Sequence, residues 1–370
     1  MRRAVGDCRP VVRRGASHGI DRGRRGPACR TGTEIGTPCR RQADAVSRRS
    51  PRVLRRRGRP PIALIRPEAD LVLRLRDGRR LGVAEFGIRS ALPVLYFHGF
   101  IGSRLEPGAA ELYDTNIISF DRPGYGRSDL QRLPSLRAWG ADVAEALVQL
   151  GVGPCMVVGV STGAPYALAV AAALGPRAQR VILAGGIAGP EVLETAGGTA
   201  LVLSLLGRRG SRTGRFLHRL ANLALATRLD RRLMAMVVAS EREALERQGL
   251  SLDVLHARLL HSFRTGNRRG LRGALADARL VAQPWDFSVA DVTAEVELLH
   301  GADDSVVPPA HAHWYAAHLP CARLHMVPGE LHLSMCFRST GRIQEACQEL
   351  AHRPPSVPAR TEALHAATPH

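Results

Sequence analysis

Residues 155–173 read Cys-Met-Val-Val-Gly-Val-Ser-Thr-Gly-Ala-Pro-Tyr-Ala-Leu-Ala-Val-Ala-Ala-Ala. Met156 to Val158 is a short apolar run of strand type. Gly159-Val160-Ser161-Thr162-Gly163 follows, and then an alanine-rich run of helix type. A strand thus breaks into a helix with a serine at the break. In that setting the G-x-S-x-G pattern has a mechanical meaning. The two glycines leave room for the backbone to turn sharply, so the serine hydroxyl stands exposed above a sheet. The same spacing arises by chance in glycine-rich chains, so its weight comes from its flanks and from partners downstream. Residues 150–176 carry no charge, long enough for a membrane span. Pro154, Pro165 and the glycines around the break favour a buried strand and helix instead.

Working outward, 370 residues suffice for one large domain or two small ones, and 45% hydrophobic residues fit a globular core. The net charge of +19 would suit a nucleic-acid binder, but it is not spread evenly. Residues 1–60 hold eighteen arginines against Asp7, Asp21, Glu34 and Asp44, which leaves about +14 there and about +5 for the rest. That stretch is also rich in Gly and Pro and empty of aromatics, so it is expected to be disordered. It shows neither the apolar run of a secretory signal nor a glycine at position 2 for myristoylation. Nucleic-acid binding through the tail would be steeply salt-dependent and sequence-blind; no specific nucleic-acid partner is expected.

The chain contains no lysine. This excludes a Walker A lysine, a lysine Schiff base and a Ser–Lys dyad. Seven cysteines (Cys8, Cys29, Cys39, Cys155, Cys321, Cys336, Cys347) form no C-x-x-C pair. Neither a disulfide framework nor a zinc site is suggested, and a reducing, cytoplasmic setting is expected.

From residue 62 the signals follow one another in order. Leu71 to Leu75 alternates, Asp77-Gly78 turns and Leu81 to Phe86 returns, a hairpin pattern. Pro93 to Phe97 is an apolar strand ending in His98-Gly99-Phe100. Asn116 to Asp121 is another, followed by Arg122-Pro-Gly-Tyr-Gly-Arg-Ser128. Ser135 to Leu150 has helical spacing with Trp139, Val143, Ala146 and Leu147 on one side. The elbow around Ser161, the His-Gly turn and the D-R-P-G-x-G-x-S turn together resemble the α/β-hydrolase family. The resemblance implies an α/β fold: a mostly parallel central sheet flanked by helices, entered through an antiparallel hairpin. It implies an oxyanion hole from the backbone N–H groups of Phe100 and Thr162. His98 is read as a structural loop histidine, Arg104 as a loop-bracing arginine and Asp121 as structural.

Arg180 to Gly185 is a further strand. Residues 189–283 then lack strand alternation and are rich in Leu, Ala and Arg. Helices are expected over 199–206, 216–236, 241–248 and 252–263, forming an inserted helical cap. Met234, Met236 and Phe263 are candidate pocket residues, against the alternative of packing within the cap. Residues 284–352 return to the core, and 353–370 are expected to be disordered. After the strand 296–300, Gly301-Ala-Asp-Asp-Ser-Val-Val-Pro308 resembles the family's acid turn, placing the acid at Asp304 with Asp303 exposed. His311, His313 and His318 lie on one helix, and His311 and His313 do not share a face, so no metal pair forms. The loop after the last strand, 323–327, carries His332, where the family keeps its general base. The usual glycine before it is replaced by Leu331. His325 is taken as a core residue. A helix from Phe337 to Ala351 closes the chain's core.

The resemblance spans residues 62–352 and implies a Ser161–Asp304–His332 triad acting on a small-molecule acyl substrate, without cofactor or metal. Esters, thioesters and lactones fit this chemistry, as do C–C bond hydrolysis and peracid formation. A ligand receptor or scaffold on the same fold is the competing reading. Oligomeric state stays open.

Overall fold

The computed structural model describes residues 53–56, 59–90, 92–109, 115–131, 135–193 and 229–352. Val53–Arg56 (β1) and Arg59–Ala63 (β2) pair antiparallel, with Leu54 opposite Ile62. All of this ribbon except Ile62 and Ala63 falls within residues 1–61, the stretch expected to be disordered. The remaining tail, 1–52, and residues 353–370 lie outside the described residues.

The main sheet has eight strands: β3 (Ala69–Arg74), β4 (Arg80–Phe86), β5 (Val94–Phe97), β6 (Ile117–Phe120), β7 (Cys155–Val160), β8 (Ala178–Ala184), β9 (Glu295–Gly301) and β10 (Ala322–Val327). Their order is β10-β9-β8-β7-β5-β6-β4-β3. The β3–β4 hairpin and the β4–β6 pairing are antiparallel; the other pairings are parallel. Central strands β5, β6 and β7 are buried at every residue, so they read as unbroken apolar runs. Edge strand β3 alternates half-buried and exposed residues.

Helices cover both faces. Leu136–Leu150 (α1) begins at Ser135, whose Oγ accepts from Ala138 N, and ends at left-handed Gly151. Gly163–Leu174 (α2) follows the elbow. Leu95, Phe97, Val157, Val181 and Leu183 face α1 and α2 in one apolar layer. The alternate residues Val94, Tyr96, Met156, Val158 and Ile182 form a second layer with Met335, Ile343 and Ala346.

Between β8 and β9 the described residues are helical: α3 (Pro190–Leu193), α4 (Asp230–Ser240), α5 (Arg242–Arg247), α6 (Leu252–Gly266) and α7 (Arg272–Val281). The helix expected over 199–206 lies outside the described residues, as does most of that over 216–236. The two later expectations match α5 and α6 closely. α7, between Gly270 and Gln283, has no counterpart in the expected helices. Ala310–His318 (α8) and His332–Ala351 (α9) complete the chain. α9 starts five residues earlier than the expected Phe337, because its first turn finds hydrogen-bond acceptors outside its own run. β10 is an edge strand and His325 on it is exposed. This corrects its reading as a core histidine: a strand position buries a side chain only on a covered face.

Candidate active site

Ser161 sits on the turn from β7 to α2 with φ of 54°, a left-handed conformation rarely adopted by residues other than glycine. Its amide donates to Ala184 O at 2.9 Å, and its carbonyl accepts from Ile187 N at 3.1 Å. The turn is held from the neighbouring strand. At Gly159 a Cβ would stand 2.7 Å from that of Ala167, so the close strand–helix approach requires glycine there.

Asp304 follows β9. Its Oδ1 accepts from Val306 N at 2.9 Å and Val307 N at 2.8 Å, which fixes the carboxylate in a turn of its own making. Its side chain is fully buried. His332 is the first residue of α9. Its Nδ1 lies 2.7 Å from Asp304 Oδ2 and its Nε2 lies 3.0 Å from Ser161 Oγ. The carboxylate accepts, so Nδ1 carries the proton and Nε2 accepts from the serine hydroxyl. Three side chains from three segments thus form one hydrogen-bonded line. His300, whose Nε2 donates to Val307 O at 2.8 Å, lies 3.6 Å from Asp304 Oδ2. Burial pushes its pKa down, so it stays neutral beside the acid.

The loop after β5 is pinned from below. Gly99 O accepts from His98 Nδ1 at 2.8 Å, from Arg122 Nη2 at 3.2 Å and from Gly102 N at 3.2 Å. Arg122 Nη1 also donates to His98 O, and Nη2 to Thr162 Oγ1 at 3.3 Å. The guanidinium is fully buried and pairs with Asp277 on α7, which also accepts from Tyr125 and Tyr166 hydroxyls at 2.9 and 2.6 Å. Burial works against the Arg122 charge, but the Asp277 carboxylate outweighs it and holds the pKa above its ordinary value. His98 is fully buried, and burial together with Arg122 keeps it neutral, well below the usual histidine range. Arg104 is buried between Asp70 and Asp121, bracing the loop rather than facing a ligand. Glu106 accepts from Gly99 N and Tyr96 hydroxyl, both at 3.0 Å, and burial raises its pKa.

The model of the alpha/beta hydrolase family matches residues 94–337, well over half of the chain. The chain belongs to the alpha/beta hydrolase family. Among solved structures, an esterase from Thermogutta terrifontis superposes with a TM-score of 0.52 at 21% identity, covering 76% of this chain and 99% of its own. An alpha/beta hydrolase fold protein from Nakamurella multipartita gives 0.55 at 20% identity, covering 76% and 98%. An enol-lactonase from Burkholderia xenovorans gives 0.52 at 17%, covering 76% and 100%. At these identities the shared property is the fold. No curated protein matches the chain.

Within this hydrolase fold, the described helices between β8 and β9 reach the loop after β5. Asn267 Nδ2 donates to Ile101 O at 2.9 Å, and the Ser262 and Ser103 hydroxyls lie 2.9 Å apart. Phe263, half-buried, is on that same turn of α6. Met234 on α4 is half-buried, whereas Met236 is 67% exposed. Asp303 is exposed, as expected, and accepts from Gly329 N. Among the described residues no group of three His, Cys, Asp or Glu could hold a metal ion, and no helix is long and apolar enough to cross a membrane. Sequence reasoning missed Asp277, Glu106, Gly185 and Glu241. The partners of Asp277, Gly185 and Glu241 lie in distant segments; those of Glu106 are only seven and ten residues away, but no local motif marks it.

Proposed function

We propose that this hydrolase cleaves a carboxylic ester or a related acyl bond, such as a thioester or lactone, through an acyl-enzyme on Ser161. The observation that carries the reading is the hydrogen-bonded line Ser161 Oγ–His332 Nε2/Nδ1–Asp304 Oδ2, at 3.0 and 2.7 Å. His332 takes the hydroxyl proton as Oγ attacks the carbonyl carbon, and Asp304 stabilises the imidazolium that forms. The proton passes to the leaving group, and water activated by His332 then releases the acid.

Phe100 and Thr162 N–H groups are the donors proposed for the oxyanion. Three donors on Gly99 O support this for Phe100. In a trans peptide the N–H points opposite the C=O, so fixing the carbonyl fixes the Phe100 N–H. The insertion over 189–283 is proposed as a cap over a small-molecule pocket. Phe263 and half-buried Met234 are its candidate lining residues. Exposed Met236 is not retained.

Labelling with a fluorophosphonate tests the nucleophile. Wild type is expected to be labelled and Ser161→Ala not. On p-nitrophenyl acyl esters the same change lowers kcat by several orders of magnitude, up to about 10⁶. Equal labelling of the two proteins refutes the assignment.

A further inference from the structure

His332 is the first residue of α9, a helix of 20 residues. The positive end of a helix dipole gathers there, with the amides of the first turn lacking intrahelical acceptors. It is an unfavourable place for a side chain that must become positive as the reaction proceeds. The first turn of α9 contains no acidic residue. Ser334 Oγ accepts from Leu331 N at 2.9 Å, but that satisfies a donor just outside the helix.

The missing carboxylate comes from the insertion. Glu241, at the junction of α4 and α5, accepts from Leu333 N at 2.9 Å and from Ser334 N at 2.7 Å. It is buried, at 7% exposure. The neighbouring residues grip the same loop. Arg247 Nη2 donates to Gly329 O at 2.6 Å, and Gln248 Nε2 donates to Glu330 Oε2 at 2.9 Å and to Ser334 O at 3.0 Å. A cleft of about 860 Å³ opens along this seam, and its lining includes no member of the triad. The seam meets the triad through the start of α9.

We propose that Glu241 is a positioning residue for His332. It caps α9 from the insertion, holds the imidazole on the line from Asp304 to Ser161, and offsets the positive helix end when imidazolium forms. The loop path usually set by a glycine before the histidine is here set by contacts from α5 and its flanks. This inference rests on the reading of Ser161 as nucleophile.

The second-order rate of fluorophosphonate labelling and kcat/KM on a p-nitrophenyl ester are measured for four proteins. Glu241→Ala is expected to lower both about 10²-fold, the scale of a misplaced catalytic group. Glu241→Gln, whose amide oxygen still accepts one N–H, recovers part of that loss. Arg342→Ala, further along α9, removes an ion pair to Glu297 on β9 and one to Glu349 within the helix. It is the stability control, expected to lower Tm while labelling keeps the wild-type rate. Glu241→Ala labelled at the wild-type rate overturns the inference, and so does an equal slowing in Arg342→Ala. If Glu241→Ala does not fold, the comparison of Glu241→Gln with Arg342→Ala decides in the same way. A wild type that is not labelled at all overturns the nucleophile reading instead.

Discussion

Gly185 shows how much of the site depends on one missing side chain. Its φ is 55°, and a Cβ there would meet His332 Cε1 at 3.1 Å and Nδ1 at 3.2 Å. Gly185→Ala therefore carries two costs: a left-handed backbone for a residue with Cβ, about 1–3 kcal/mol, and pressure on the imidazole. We expect kcat/KM on a p-nitrophenyl ester to fall about 10²-fold, with a smaller fall in stability. A variant with wild-type kcat/KM would mean that the ring has room to spare. At this scale the candidate residues were readable where each sits in or beside a contiguous motif. Ser161 lies in G-x-S-x-G, Asp304 in the acid turn, and His332 just after the last strand. Gly185 was visible only as the end of a strand, because what fixes it is an imidazole from another segment. His325 was misread because strand character says nothing about which face of an edge strand is covered.

Among elements, α7 is joined to the β5 loop and the elbow by one buried ion pair. Arg122 reaches His98 O, Gly99 O and Thr162 Oγ1, and Asp277 anchors it from α7. Both side chains are at least 98% buried, so removing one partner strands a charge away from water. Asp277→Ala is expected to lose about 3–5 kcal/mol in urea unfolding. The double variant Arg122→Met/Asp277→Leu removes both charges and recovers much of that stability. Its kcat/KM stays low, because Gly99 O and Thr162 lose the guanidinium that orients them. Full recovery of activity in the double variant would sink the orienting role and leave a purely structural pair. The D-R-P-G turn was legible as a tight structural turn. Its arginine's partner was not, since Asp277 lies 155 residues further on, in a helix the sequence did not delimit. The start of α9 was missed for the same reason: Glu241, 93 residues before Ser334, caps it.

For the whole molecule, buried neutral histidines set the response to acid. His311 on α8 accepts from Ala188 N at 3.0 Å, under the loop that follows β8. Burial pushes its pKa down to about 4. His98 and His300 are lowered by burial too. Between about 4 and 6.5 the unfolded chain takes up a proton at His311 that the folded chain refuses, so stability rises with pH through that window and is lost as pH falls; His98 and His300 act in the same sense. Glu106, raised by burial, works in the opposite sense, because its protonated form is favoured by folding. Asp129 and Glu349, each held near 2 by arginine partners against free values of 3.8 and 4.5, lose their stabilisation as pH falls from those values, in the same sense as the histidines. The histidines outnumber the single raised carboxyl, so the net slope from pH 6.5 to 4 is expected to be positive. Each refused proton adds up to about 1.4 kcal/mol per pH unit. His311→Asn keeps an acceptor for Ala188 N and removes one titrating group. Urea unfolding of wild type and His311→Asn at pH 4.5 and 6.5 measures the difference. The variant is expected to lose less stability between these two pH values. An identical loss in both proteins would show that His311 takes up its proton without opening the fold, and would move the source of acid sensitivity to His98 and His300.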